Sequence, residues 1–309
     1  LLFPLRYGAS TVLLGKLTPD SLLQAIDDFG ATICFTAPTF YRQMAPLVPN
    51  HNLTTLQKTV SAGEALPLET RERWQQATGL AMIDGIGATE MLHIFISAAG
   101  DEIRPGATGK PIPGYHACIL DDKGQPCPPG VAGRLAVKGP TGCRYLDDPR
   151  QRDYVCHGWN LTGDTYLMDV DGYFWYQART DDMIISAGYN IAGPEVEEVL
   201  LHHPAVAECA VVACPDAERG QIVLAFVVCA SGVAADDALA QSLQDFVKQS
   251  IAPYKYPRRI EFRSSLPRTE TGKLQRFKLR QEAAPAPILA TAAESVSAQG
   301  STHGSASAS

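Results

Sequence analysis

Asp84-Gly-Ile-Gly87-Ala-Thr89-Glu90 gathers two glycines, a hydroxyl and a carboxylate in one short stretch. It follows an expected strand, Leu80 to Asp84, and so belongs at the carboxyl edge where α/β sheets bind ligands. Glycines there let the backbone approach a nucleotide closely, the Thr89 hydroxyl can donate to a phosphate, and the Glu90 carboxylate can hold Mg²⁺. Alone, the stretch reads equally well as a glycine-rich turn capped by Thr89. Three further segments bear on the choice. Thr162-Gly-Asp164 offers a carboxylate to ribose hydroxyls. R-T-D-D-M-I-I-S-A-G-Y-N runs from Arg179 to Asn190, and P-R-T-E-T-G-K-L-Q-R, from Pro267 to Arg276, sets Lys273 beside a glycine. Each by itself is also compatible with a surface hairpin or a salt-bridged loop. All four, in this order, point to a nucleotide site. Two familiar phosphate motifs fail. Gly106-Ala-Thr-Gly109-Lys110 has too short a gap between glycines and Pro111 where a Walker loop needs Ser or Thr, and Gly85-Ile-Gly87 runs on to Glu90 where a dinucleotide fingerprint needs its third glycine.

The elements that must position these residues change in texture along the chain. From Leu1 to about residue 105, strand-like and helix-like segments alternate: Thr11–Leu14, a helix opening at Pro19 and closing at Gly30, Ala31–Thr36, a helix after Pro38, Lys58–Ser61, a helix from Pro67 to about Ala77, and Leu80–Asp84. Strand–helix–strand alternation implies a largely parallel sheet covered by helices. From residue 106 to 178, glycine, proline and short alternating segments (His116–Leu120, Arg134–Val137) predict a small, barrel-like β subdomain. Residues 179–281 predict a compact α+β domain, with strands at Met183–Ile185, Val206–Ala213 and Ile222–Cys229. Its helices are expected from Pro194 to about Leu201 and after an Asp236 cap. Residues 282–309 hold too little apolar bulk to repay ordering and are expected to be disordered. The fold class is therefore α/β, a parallel-sheet subdomain plus a β subdomain, followed by an α+β domain.

Composition narrows the partners. Of 309 residues, 45% are hydrophobic and 19% charged, and Lys+Arg 26 against Asp+Glu 33 gives a formal charge of -7. Nucleic-acid binding needs clustered cations, which this balance argues against. Eight cysteines include no C-x-x-C pair and no zinc-finger spacing with histidine, so they are expected to be reduced and mostly buried, as in the cytosol. No run of about 20 apolar residues predicts a membrane span. The opening L-L-F-P-L-R-Y lacks a basic leader and is interrupted by Pro4 and Arg6, so it reads as the middle of a fold and not as a signal peptide.

With these motifs in place, the sequence from Leu1 to about Gln281 resembles the adenylate-forming superfamily of acyl-CoA synthetases, luciferases and nonribosomal adenylation domains. F-T-A-P-T-F-Y-R-Q-M, V-S-A-G-E-A-L-P and D-G-I-G-A-T-E-M-L-H-I-F are most similar to the benzoate and 2-aminobenzoate CoA ligases. The resemblance implies ATP (leaving as AMP), Mg²⁺, coenzyme A and a small aromatic acid as ligands, with no nucleic-acid or membrane partner. It places Gly63, Glu64 and Ala65 along the adenine and acyl region, Asp84 and Gly85 beside the adenine, and Thr89 at the α-phosphate. Glu90 would bind Mg²⁺, and Asp164 and Arg179 would hold the ribose. Lys273 would bridge the acid's carboxylate and the α-phosphate. Asp181 matches the hinge of a mobile carboxyl-terminal domain, Gly188 the pantetheine tunnel and Phe40 its gate. Tyr41 and His93 match positions facing the acid, although His93 is also readable as a satisfied core histidine. Ile86 stands where an aromatic usually stacks on adenine.

One departure follows from the same resemblance. The superfamily's Ser/Thr/Gly-rich phosphate loop would precede Leu1, so the chain is expected to be a portion of a longer enzyme that does not adenylate efficiently alone. An adenylation domain serving a carrier protein is the neighbouring alternative; no D-S-[LI] carrier motif follows Gln281, which favours free coenzyme A. A noncatalytic nucleotide-binding fragment is the alternative from a different class.

Overall fold

The computed structural model describes residues 2–15, 17–269 and 272–284. After a short helix, α1 (Leu2–Arg6), the expected strand at Thr11–Leu14 forms no regular element, and Leu13 is 80% exposed. Its apolar run has no pleated neighbour to pair with, which a strand needs.

The first sheet contains β1 (Ile33–Thr36), β2 (Lys58–Ala62), β3 (Met82–Gly87), β4 (Ile94–Ser97) and β5 (Lys110–Pro111), in that order across the sheet. β1, β2 and β3 are parallel, whereas β4 pairs antiparallel with both β3 and β5, so the sheet is mixed. Helix α2 (Pro19–Phe29) precedes β1, and α3 (Pro38–Met44) and α4 (Leu68–Thr78) connect the parallel strands. Thr18 caps α2 by accepting from the Ser21 amide, and Gly30 ends it in a left-handed conformation. Leu23 and Ile26 of α2, Tyr41 and Met44 of α3, Trp74 of α4 and Met82 of β3 share one buried core.

The second sheet is antiparallel and built from β6 (His116–Leu120), β7 (Gly133–Lys138), β8 (Val155–Cys156), β9 (Trp159–Met168) and β10 (Phe174–Arg179), with the turn of helix α5 (Gln151–Tyr154) before β8. The order is β10-β9-β7-β6, with β8 pairing β9. Its edges β6 and β10 do not pair, so the barrel-like expectation is corrected to an open sheet. A barrel closes only where its first and last strands pair, and these two lie at opposite ends of the strand order.

The remaining residues form the hairpin β11 (Ile184–Ser186) and β12 (Tyr189–Ile191), then α6 (Gly193–Leu201), β13 (Val206–Asp216), β14 (Gly220–Cys229), α7 (Asp237–Ser250), β15 (Arg259–Phe262) and α8 (Arg276–Ala283). Side chains alternate across β13 and β14. Val211, Val223, Ala225 and Val227 pack with α6 and α7 on one face, and Ala210, Val212, Leu224 and Phe226 pack with Leu279 and Ala283 of α8 on the other. Helix α8 runs through Glu282 and Ala283, where the tail was expected to begin; the tail from residue 285 onward lies outside the described residues. All eight cysteines are free thiols. Among the described residues no helix is long and apolar enough to cross a membrane.

Candidate functional site

Parallel pairing of β2 and β3 brings two of the glycine-rich segments side by side. Ser61 lies opposite Asp84 and Ala62 opposite Gly85, so the Gly63-Glu64-Ala65 turn leaves β2 beside the D-G-I-G strand. Both segments line a cleft of about 960 Å³, which also takes in Asp164 and Arg179 of the second sheet and Lys273 from the loop before α8. Of the residues the sequence singled out, Gly63, Glu64, Ala65, Asp84, Gly85, Asp164, Arg179 and Lys273 therefore meet in one place.

Strand register explains the Asp164–Arg179 pair. β9 and β10 place Arg179 opposite Asp164, and Arg179 Nη1 donates to Asp164 Oδ1 at 3.2 Å and to the Thr162 carbonyl at 3.3 Å. Burial raises the Asp164 pKa, against the pull of Arg179 and the Thr162 hydroxyl. Asp84 goes further. Burial pushes its carboxyl up to about 7, opposed by the Arg71 guanidinium and the Gly85 amide. Arg71 is itself held on α4 by donating to the Met82 carbonyl at 2.5 Å.

Hydrogen bonds tie Thr269 to Gly272 and Lys273 in the lysine loop. The Thr269 amide donates to the Lys273 carbonyl at 2.8 Å, the Lys273 amide to Thr269 Oγ1 at 3.0 Å, and the Gly272 amide to the Thr269 carbonyl at 2.9 Å. Residues 270 and 271 lie outside the described residues. Two glycines make the approach possible. A Cβ on Gly63 would stand 2.7 Å from Lys273 Cε and 3.1 Å from Nζ, so the lysine arm lies directly over Gly63. A Cβ on Gly272, whose φ is +84°, would stand 2.4 Å from Phe40 Cε2. Phe40 thus packs against the loop that carries the lysine and does not line the cleft.

The other assigned residues lie outside the cleft lining. Thr89 and Glu90 form the turn just beyond β3, and Glu90 Oε1 accepts from the Tyr145 hydroxyl at 2.6 Å. Gly188 sits exposed at the tip of the β11–β12 hairpin. Asp181 is flanked by Arg179 Nε at 3.6 Å and Arg280 Nη2 at 3.7 Å. His93 is exposed, which excludes the core-histidine reading and places it off the cleft. Tyr41 is a correction: its ring is fully buried edge-on against Trp74, and its hydroxyl donates to the Cys34 and Val60 carbonyls at 2.8 and 3.1 Å. At the inward face of α3, core packing and these two carbonyls fix Tyr41 away from any ligand.

Several lining residues were missed. Glu197 of α6 accepts from Arg276 Nη2 and from the Val211 amide, at 2.6 and 2.7 Å. Arg268 and Arg276 stand in the same motif as Lys273 and line the same cleft. Tyr166 and Tyr176 face each other edge-on from β9 and β10 and line the same cleft; period-2 alternation in Trp159–Met168 was the available signal.

The fold and this cleft define a protein in which two sheets and a lysine-bearing loop meet at one site, and comparison places it. The chain belongs to the AMP-binding enzyme family: the AMP-binding enzyme profile matches residues 1–144, and the AMP-binding enzyme C-terminal domain matches residues 195–273. It is 41% identical to the benzoate–CoA ligase of Thauera aromatica over 286 residues, covering 91% of this chain and 54% of that one. It is 40% identical to the mitochondrial acyl-coenzyme A synthetase ACSM3 of Rattus norvegicus, covering 87% and 48%. Among solved structures, the anthranilate CoA ligase AuaEII in complex with anthranoyl-AMP aligns with a TM-score of 0.86 at 40% identity, over 92% of this chain and 56% of that one. A benzoate CoA ligase from Burkholderia xenovorans LB400 aligns with a TM-score of 0.82 at 38% identity, over 91% and 57%. The chain spans about half the length of the curated relatives it matches.

Proposed function

We infer that the protein activates an aromatic carboxylic acid of the benzoate or 2-aminobenzoate type with ATP and transfers the acyl group to coenzyme A. The observation that carries this reading is the placement of Lys273 over Gly63, at the cleft that also holds the Asp164–Arg179 pair. The acid's carboxylate attacks the α-phosphorus and pyrophosphate leaves. Two anions must meet, so catalysis needs fixed positive charge and alignment. Lys273 supplies the charge between carboxylate and α-phosphate. Asp164 and Arg179 hold the ribose, Asp84 and Gly85 border the adenine, and Thr89 donates to the α-phosphate. The thiol of coenzyme A then attacks the acyl carbonyl and AMP leaves. That step requires the lysine loop to withdraw, with Asp181 as the hinge and Gly188 lining the pantetheine tunnel.

Mg²⁺ fits this arrangement as an ion brought with ATP. Among the described residues no group of three His, Cys, Asp or Glu side chains is placed to hold a metal by itself, and Mg²⁺ is commonly bound through one or two carboxylates plus substrate phosphates. Glu90, oriented by Tyr145, would hold it, and the ion would neutralise charge on the phosphates. The eight free thiols suit a reducing compartment, and we place the protein in the cytoplasm on that ground.

The test uses protein expressed from its complete reading frame, with ATP, Mg²⁺, coenzyme A and, in turn, benzoate, 2-aminobenzoate, acetate and octanoate, resolving CoA thioesters and AMP by chromatography. Aromatic thioesters with stoichiometric AMP are expected. Preference for octanoate defeats the aromatic assignment, and absence of AMP with every acid defeats the ligase reading.

A further inference from the structure

The residue that follows Lys273 is held by a side chain 210 positions earlier in the chain. The Leu274 amide donates to Glu64 Oε1 at 2.7 Å, and Thr39 Oγ1 donates to Glu64 Oε2 at 2.9 Å. Arg268, at the other end of the lysine loop, donates to Thr39 Oγ1 at 3.1 Å and lies 3.8 Å from Glu64 Oε1. It also donates to the Gly272 carbonyl at 2.9 Å and to Glu208 at 2.6 Å. Both ends of the loop are thereby tied to one carboxylate at the edge of β2. The Glu64 side chain is 13% exposed, so these bonds form where water competes weakly and charge-assisted contacts are strong.

We propose that Glu64 is the positioning residue of the lysine loop: it clamps the Leu274 amide and, through Thr39, Arg268, and so holds the Lys273 ammonium over the nucleotide cleft. The proposal rests on the ligase reading for the meaning of that position, but the clamp itself is a property of the chain. Each Glu64 oxygen accepts from a protein donor, and one of those donors is the backbone of the loop itself, so the carboxylate acts on Lys273 through the loop. The clamp also links the two half-reactions. Acyl-adenylate formation needs the Glu64–Leu274 bond closed, and entry of the thiol needs it open, because the loop that must withdraw is the one it holds. A merely architectural role for Glu64 would instead support β2 and α3, whichever position the loop takes.

The experiment is amide hydrogen exchange on the chain as it stands, resolved at Leu274, in wild type, Glu64→Ala and Glu64→Gln. Glu64→Ala is expected to raise Leu274 exchange by at least about tenfold while the amides of β2 and β3 keep their protection. Glu64→Gln, which retains a carbonyl acceptor, is expected to restore most of the Leu274 protection. Unchanged exchange at Leu274 in Glu64→Ala, equal loosening of β2 and β3, or a Gln variant as unprotected as the Ala variant would each overturn the clamp. In parallel, the sulfamoyl analogue of 2-aminobenzoyl-adenylate is titrated into the wild-type chain. Failure to bind it counts against the ligase reading, whereas binding without any Leu274 effect counts against the clamp alone. In protein from the complete reading frame, Glu64→Ala is expected to slow pyrophosphate release at least about tenfold and to spare thioester formation from supplied acyl-adenylate; equal loss in both overturns the positioning role.

Discussion

Asp84→Asn isolates the energetic consequence of burying a carboxyl beside the cleft. Burial pushes Asp84 up to about 7 against the opposing Arg71 guanidinium and Gly85 amide, whereas an aspartate in an unfolded chain titrates near 3.9. The native state therefore holds the proton more tightly than the unfolded chain. The stability this confers is fully present below about pH 4 and is lost as pH rises through about 7, and then levels off. At about 1.4 kcal/mol per pH unit, the interval from pH 5 to pH 7 covers about 2–3 kcal/mol of that loss. Asparagine carries no titratable proton and is spared it. Urea unfolding followed by tryptophan fluorescence, with buried Trp74 on α4 reporting on this core, is measured at pH 5, 6, 7 and 8. The stability of Asp84→Asn relative to wild type is expected to rise by about 2–3 kcal/mol across that range and to flatten near its upper end. The charged and titratable groups facing Asp84 are Arg71 and Tyr166. Adding Arg71→Met to the wild-type background should extend the pH dependence upward, since it removes the opposing charge. A difference between Asp84→Asn and wild type that stays constant from pH 5 to 8 refutes the reasoning.

Three other outcomes follow from contacts already described. Gly272→Ala forces a Cβ to within 2.4 Å of the Phe40 ring at a φ of +84° and should cost about 2–4 kcal/mol. In a double-mutant cycle with Phe40→Ala, at least about 1 kcal/mol should be recovered in urea unfolding. Tyr41→Phe should cost about 1–3 kcal/mol of stability by leaving two buried carbonyls short of a donor, with unchanged affinity for the acyl-adenylate analogue in calorimetry; weakened affinity would restore Tyr41 to the substrate site. Lys273→Ala in protein from the complete reading frame should slow adenylation at least about 10²-fold while sparing thioester formation from supplied acyl-adenylate, as read by pyrophosphate release and by thioester chromatography.

Much of the site was legible because its residues stand at chain features with local signatures. D-G-I-G-A-T-E and V-S-A-G-E-A-L are glycine-rich exits from short apolar strands, and parallel pairing of β2 with β3 places such exits together. Asp164 and Arg179 were readable one at a time. Their partnership depends on the β9–β10 register, which passes through an irregularity between Tyr176 and Ala178, and such a shift has no signature in the residue pattern. The open edge of the second sheet was misread because glycine and proline frequency reports turns and not closure. Tyr41 was misread in another way. Resemblance set it near the acid, but its position one residue after Phe40 on a short helix turns its ring into the core formed with Trp74. Contacts such as Glu64 with Leu274 and Glu198 with the Leu68 amide at 2.9 Å join distant parts of the chain, and sequence separation of that size leaves no periodic trace. The partners of these carboxylates were therefore the least visible part of the site.

The most direct measurement is calorimetric titration of the sulfamoyl analogue of 2-aminobenzoyl-adenylate into the wild-type chain, Lys273→Ala and Asp164→Asn. If the lysine loop and the second sheet converge on one nucleotide-bound acid, each substitution weakens binding at least about tenfold. An analogue that binds wild type and Lys273→Ala with the same affinity would contradict that convergence.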